Sequence, residues 1–347
     1  MATRGNGRPR RPSITDVARR AGVSVGTVSN VLNRPDQVTP ATRERVQAAI
    51  EELNFVRNAS ARQLRAGTIR TVGAIVLDIA NPFFTEVARG VEDRLAPDEY
   101  TLMLSSSDQD PEREARYLRL YEEHGVQGVL VTPSQGSLET ILALRDRGIG
   151  VVLLDATTEV EDVSSVGVDD VRGAALAVEH LLDLGHERIA FINGPDSIRQ
   201  CVDRRAGVVA ALVAAGRDPG AVLTEVTVAS LNADAGEKAM HELLAIDASR
   251  RPTATFCVND FTALGALRAL RWADVPVPDA MAVVGYDDVA IAPMLTVPLT
   301  SVHQPTHTLG WTAADLLLRE AGADGPAEHQ RVLFQPELVV RTSTAGA

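Results

Sequence analysis

"AGVSVGTVSNVLN", residues 21–33, holds two incompatible readings. Gly22-Val23-Ser24-Val25-Gly26 satisfies the G-x-S-x-G pattern of a hydrolase nucleophile elbow, which needs a strand running into the first glycine and a helix leaving the second. Upstream, however, Ser13-Ile14-Thr15-Asp16 fits an S-x-x-D capping pattern, and Val17, Ala18 and Ala21 recur at helical spacing. A helix therefore enters Gly22. The spacing predicts Gly22 as a tight turn with positive φ, Ser24 as the cap of a second helix, and Val28, Val31 and Leu32 as that helix's apolar face. Thr39-Pro40 opens a third helix that places Val46, Ile50 and Leu53 on one side. Three short helices around a glycine turn make a helix-turn-helix unit, and Ser24 caps rather than attacks.

Charge agrees with a nucleic-acid-binding head. Residues 1–70 carry 13 Arg against 5 Asp and Glu, a net of +8, although the whole chain stands at -12. A basic segment on an acidic body points to an anion-binding head. At 347 residues and 45% hydrophobic content the chain has room for two or three domains of roughly 100 to 200 residues. Cys201 and Cys257 make no disulfide framework and have no metal-like neighbour at short spacing. The opening "MATRGNGRPRRPS" has no apolar stretch of the secretory kind, and no run of about 18 apolar residues follows, so a cytoplasmic protein without membrane contact is expected. Residues 1–12 read as a disordered basic arm and 13–57 as the helix-turn-helix domain. Residues 58–67, "NASARQLRAG", read as one helix capped by Asn58, too short to stand alone and with nothing of its own for Leu64 to pack on.

From Thr71 onward apolar strands alternate with amphipathic helices: "TVGAIVL", "YTLMLSS", "GVLVT", "GVVLLD", "RIAFING", "TATFCV" and "MAVVGYDD". About ten such strands imply two linked parallel sheets with helices on both faces, and ligands in such folds bind at the strands' carboxyl ends. Polar residues collect there: Asn81, Asp155, Asn193, Asn259-Asp260 and Asp287-Asp288. Competing chemistry finds little support. His303 and His307 have a zinc-like spacing, but Pro305 separates them and no third ligand is near, so no metal is expected. Adjacent carboxylates such as Asp169-Asp170 and Asp287-Asp288 point to opposite faces of a strand, which suits one structural member in each pair better than paired-carboxylate hydrolysis. No Walker A run occurs, and no cofactor is expected.

Taken together, "ITDVARRAGVSVGTVSNVLN", "VTPATRERVQAAIEELNFVRNASARQL", "NPFF", "GHERIAFINGP", "CVNDFTALGAL" and "VVGYDD…PLTSVHQP" resemble the LacI family of bacterial transcriptional regulators, from about Ile14 to Thr342. The resemblance implies an all-α helix-turn-helix DNA-binding head plus an α/β periplasmic-binding-protein-like core of two doubly wound subdomains over 71–342. It implies a homodimer on a near-palindromic double-stranded operator, with hinge helices in the minor groove and a small-molecule effector in the core. Carried over, Val25, Gly26 and Asn30 face bases, while Ser24, Thr27, Ser29 and Asn33 support phosphate contact or orientation. Since Val25 and Gly26 offer no side-chain hydrogen bond, Asn30 is the main candidate reader, through adenine N6 and N7. Asn58, Leu64 and Arg65 fall at hinge positions, Leu64 as an apolar wedge between base steps. Phe83 and Phe84 match the mouth of the effector cleft, and Asp155, Arg204, Asn259, Asp287 and Gln304 its lining. Carboxylates, amides and a guanidinium beside aromatic surface suit a sugar or sugar derivative, although Leu231 stands where the family's lac repressor has an aromatic platform. The tail "ELVVRTSTAGA" lacks leucine heptads, so a dimer rather than a tetramer is expected. The alternative reading is a solute-binding or sugar-modifying protein with an accessory head, for which the missing export signal is unhelpful.

Overall fold

A computed structural model describes residues 12–55, 70–158, 160–322 and 328–345. The chain divides into two units, 1–69 and 70–347. In the first, α1 (Ile14–Ala21), α2 (Val25–Asn33) and α3 (Pro40–Glu52) form the three-helix head. The Ser13 hydroxyl accepts the Asp16 N–H at 3.3 Å, while the Asp16 carboxylate accepts the Ser13 N–H at 2.9 Å, a reciprocal cap that starts α1. Gly22 turns the chain at φ 66°, a conformation with no Cβ penalty only for glycine. Ser24 then accepts the Thr27 N–H at 3.1 Å and starts α2. A helix, not a strand, enters this turn, so the elbow pattern has no structural counterpart. α3 begins with Pro40 at its first position, but the Thr39 hydroxyl bonds the Thr42 hydroxyl at 3.0 Å rather than a backbone N–H. One fully buried valine from each helix, Val17, Val28 and Val46, meets in the middle.

Among the described residues, the second unit contains twelve strands in two six-stranded sheets. β1 (Thr71–Val76), β2 (Thr101–Ser106), β3 (Gly128–Val131), β4 (Gly150–Leu154), β5 (Ser164–Val168) and β11 (Arg331–Phe334) make the first, in the order β2-β1-β3-β4-β5-β11, all parallel. β6 (Ile189–Asn193), β7 (Leu223–Thr227), β8 (Ala254–Cys257), β9 (Ala282–Asp287), β10 (Thr300–His303) and β12 (Glu337–Val339) make the second, in the order β7-β6-β8-β9-β10-β12. Its central strands are almost wholly buried, as expected for parallel strands covered by helices on both faces. β12 departs from the expected parallel arrangement and runs antiparallel to β10. Only Gln335 and Pro336 separate it from β11, so the chain leaves the first sheet at its carboxyl edge and enters the second from that same side. Among the described residues, no helix is long and apolar enough to cross a membrane.

The chain passes between the subdomains three times, from β5 into the helix Asp170–Asp183, from β10 into the helix Thr306–Ala321, and from β11 into β12. Helix Thr306–Ala321 therefore follows a strand of the second sheet yet packs against β3, β4 and the helix Pro82–Leu95 of the first. Glycines make this crossing close: a Cβ on Gly90 would collide with the His307 carbonyl, and one on Gly310 with the Val87 carbonyl. Arg94 locks the pair, bonding Asp315 at 2.7 Å and lying 5.7 Å from the Trp311 ring centre. Because each added Cβ meets backbone rather than a flexible side chain, Gly310→Val should destabilise the core by about 1 to 3 kcal/mol or more. Thermal unfolding would show a lowered midpoint for this variant and an unchanged one for Gly322→Ala, whose Cβ would come no nearer than 3.4 Å to a neighbour.

Candidate functional site

On the head, the outer side of α2 exposes Ser24, Val25, Gly26, Asn30 and Asn33, while Thr27 and Ser29 are half-buried. Most of its polar groups are engaged. The Ser24 and Thr27 hydroxyls lie 2.9 Å apart, and Asn33 donates to the Ser29 carbonyl at 2.9 Å and to its hydroxyl at 3.2 Å. Asn30 alone of these presents an exposed amide with no hydrogen bond among the described residues. Val25, 38% exposed, and Gly26, where a Cβ would meet only the Ser24 hydroxyl at 3.6 Å, leave the start of the helix smooth. The hinge segment with Asn58, Leu64 and Arg65, and the arm as far as residue 11, lie outside the described residues.

In the core, side chains from both subdomains converge where the strands end. Arg204, on the helix Arg199–Ala214, is 5% exposed. It donates to Asp170 at 2.8 Å and to the Val258 carbonyl at 2.5 Å, and its guanidinium carbon lies 3.6 Å from the centre of the Tyr286 ring. Asp287 is a further 3.8 Å from the guanidinium and instead accepts the Gln304 amide at 2.8 Å. Burial works most strongly against the Arg204 charge, but Asp170, Tyr286 and Asp287 together outweigh it and hold the pKa up. Asp287 is pushed up to about 7, burial outweighing Arg204 and Gln304. Asp155, at the end of β4, is raised well above the usual carboxylate range by burial and then by Asp170. Asp155 at φ 51° and Asp287 at φ 104° hold left-handed backbone at strand ends, strain that persists only where surrounding structure imposes it.

A contact spans the cleft: Gln200 of the second subdomain donates to both the carbonyl and the carboxylate of Asp155 at 2.8 Å, while Asn81 of the first lies near enough to Asp287 to favour its charged form slightly. The structure thus brings Asp155, Arg204, Asp287 and Gln304 together. Asn259 is buried beside them, but its amide oxygen caps the helix Asp260–Trp272 through the Thr262 N–H at 2.9 Å, and its amide nitrogen reaches the Leu231 carbonyl at 3.3 Å. Phe83 and Phe84 do not sit at a mouth: 3% and 5% exposed, they pack edge-to-face at 4.9 Å within the apolar cluster that spans both subdomains. Asp170, Gln200 and Tyr286 join the site without a local signal of their own, beyond Asp170's place in an acidic pair. Its neighbour Asp169 caps a helix through the Arg172 N–H at 2.9 Å, and Asp288 pairs with Arg341 at 2.6 Å. His303 and His307 face different partners, Asp288 at 3.2 Å and Asp93 at 3.0 Å.

A third surface lies along the helix Asp260–Trp272. A groove of about 970 Å³ is lined by Leu264, Leu267, Val275, Val277 and Leu295 with Trp272, which is 76% exposed. Met294, next to Leu295 in sequence, is 78% exposed. Apolar surface of this kind in one place marks an interaction site more often than scattered exposure does.

Residues 13–58 match the model for bacterial regulatory proteins of the lacI family, and 178–344 that for a periplasmic binding protein-like domain. The HTH-type transcriptional repressor PurR of Aliivibrio fischeri is 35% identical over 96% of this chain and 98% of its own. The transcriptional regulator CelR in complex with cellobiose is 34% identical over 96% of this chain and all of its own, with a TM-score of 0.68. The lac repressor dimer bound to operator and the anti-inducer ONPF covers 97% of this chain and all of its own at 28% identity and a TM-score of 0.80. With a capped helix-turn-helix head, two doubly wound subdomains and full-length likeness to these regulators, the chain belongs to the lacI family, a DNA-binding transcriptional repressor with a ligand-binding core and not an enzyme.

Proposed function

We propose that the protein acts as a homodimer on a near-palindromic operator, in the compartment that holds the DNA, and that a sugar or sugar derivative in the core cleft sets its operator affinity. The observation that carries the effector reading is that Asp155, Asp287 and the Gln304 side-chain oxygen Oε1, which has no hydrogen-bond partner among the described residues, are buried near one another at the strand ends of the two subdomains. Such an acceptor-rich set matches a ligand with several hydroxyl donors. CelR, 34% identical, binds cellobiose, and a LacI-family regulator from Enterococcus faecium, 29% identical with a TM-score of 0.72, holds ribose. A purine base is the second reading, because the PurR relatives are 35% identical along nearly the whole chain. Closure over a ligand changes operator affinity only by the difference in ligand affinity between the two states of the core.

Base reading rests on Asn30, with Ser24, Thr27, Ser29 and Asn33 fixing the helix on phosphates. Leu64 and Arg65 act at the central minor groove. The second copy covers the groove beside Trp272, as befits a relative seen as a dimer on its operator.

Three outcomes test this. Titrating operator binding with cellobiose, ribose and hypoxanthine should show a shift with a sugar; a shift with hypoxanthine alone would sink the sugar reading and leave the regulator reading standing. Asn30→Ala should weaken the cognate site by about 1 to 3 kcal/mol and relax preference at one base pair per half-site, and an unchanged site preference in random-pool selection excludes Asn30 as the reader. Thr296→Arg adds charge at an exposed groove-lining position without disturbing the core, so sedimentation should show monomer in place of dimer. Arg204→Ala is a poor probe of binding, since it strands the buried Asp170 carboxylate at a cost of about 3 to 5 kcal/mol.

A further inference from the structure

Three buried carboxylates, Asp155, Asp170 and Asp287, lie within the influence of one buried guanidinium, Arg204. That guanidinium is already committed to Asp170 at 2.8 Å, to the Val258 carbonyl at 2.5 Å and to the Tyr286 ring. Asp287 therefore sees it only at 3.8 Å, and Asp155 is met by an uncharged amide, Gln200. Asp260 adds a fourth buried carboxylate behind Asp287, satisfied by the Ser301 hydroxyl at 2.6 Å and the Val289 N–H at 2.9 Å. Apart from Arg204 at 3.8 Å and the like charge of Asp170, the side chains near Asp287 from other elements, Asn81 and Gln304, bring no charge. A separate observation points the same way: the side-chain oxygen Oε1 of Gln304, on the amide whose nitrogen bonds Asp287, is buried with no donor among the described residues. An unpaired buried acceptor is costly and calls for a partner.

We propose that the cleft takes an effector bearing a protonated amine, an amino sugar rather than a neutral one. The proposal rests on the sugar-sensing reading of this cleft and adds the charge. An ammonium group has three donors and no acceptor, which fits Asp155, Asp287 and the Gln304 oxygen. Without ligand the surplus negative charge is relieved by protonation: burial holds Asp155 and Asp287 above the usual carboxylate range. An arriving ammonium takes over that neutralising role, and the displaced proton passes to the buffer. Asp170 sets this arrangement, because it captures Arg204. An asparagine there would release the guanidinium toward Asp287 and remove the surplus.

The test is calorimetric titration of the full chain near pH 7 with glucosamine, galactosamine and mannosamine. Each is run beside its N-acetyl form, which keeps the ring and drops the charge, and beside its parent hexose. At least one free amine should bind at least tenfold tighter than both controls, with a heat that changes with the buffer's ionisation enthalpy as a proton is released. Asp170→Asn should erase the tenfold preference. Binding of a control as tight as its amine overturns the proposal, and so does failure of all three amines to bind. Cellobiose, ribose and hypoxanthine run alongside separate the two levels: a neutral sugar that binds leaves the sugar reading intact while the charge inference falls, whereas hypoxanthine alone ends both.

Discussion

The Arg204 guanidinium sits where four segments of chain meet: its own helix, the first turn of Asp170–Asp183, the end of β8 at Val258, and Tyr286 on β9. A buried charge of this kind is tolerable only when its hydrogen bonds are met, and each partner here arrives from a different stretch of sequence. Meeting that condition fixes where the strand ends of the second subdomain lie relative to the crossover from β5. It also fixes Asp287, which is too far to be paired outright and too close to be indifferent. Gly207 and Gly173 make the arrangement possible. A Cβ on Gly207 would strike the Val171 carbonyl, and one on Gly173 would strike the Tyr286 hydroxyl.

Chemistry is divided between the units by burial. The head holds its fold with local caps and one small apolar cluster, and keeps its outward helix face polar but largely self-engaged, with the Asn30 amide exposed. The core does the reverse. It buries its charged groups around one guanidinium. In a regulator these two designs suit their tasks, since a base reader works in water against other polar groups, whereas a sensor gains from the low dielectric that strengthens every contact inside it.

Local physics explains what could be read from sequence. The head's helices announce themselves through Ser13, Gly22, Ser24 and Pro40, each acting on neighbours within four residues. The strongly apolar strands are equally plain, but β5 "SSVGV", β7 "LTEVT" and β12 "ELV" carry too few apolar residues to stand out, and β12's direction follows from a crossover no local pattern encodes. Strand-end position marks Asp155 and Asp287 as cleft candidates, and the family resemblance adds Arg204. The Arg204–Asp170 pair spans 34 residues, and the Gln200 contact to Asp155 spans 45, so neither leaves a periodic trace. Phe83 and Phe84 read as ligand-facing aromatics because hydrophobicity alone does not tell a cleft wall from the core beneath it.

The last crossover has a consequence for synthesis. The first sheet's outer strand, β11, and the helix Thr306–Ala321 that covers its neighbours are made only after nearly all of the second sheet. A nascent chain thus emerges with a head whose helices are contiguous, followed by lobes that stay open-edged until residues 331–339 have been made. Neither lobe can be finished ahead of the other. A chain cut short before residue 331 would carry an intact DNA-binding module attached to two unfinished lobes, bare along the strand edges that β11 and β12 would have closed.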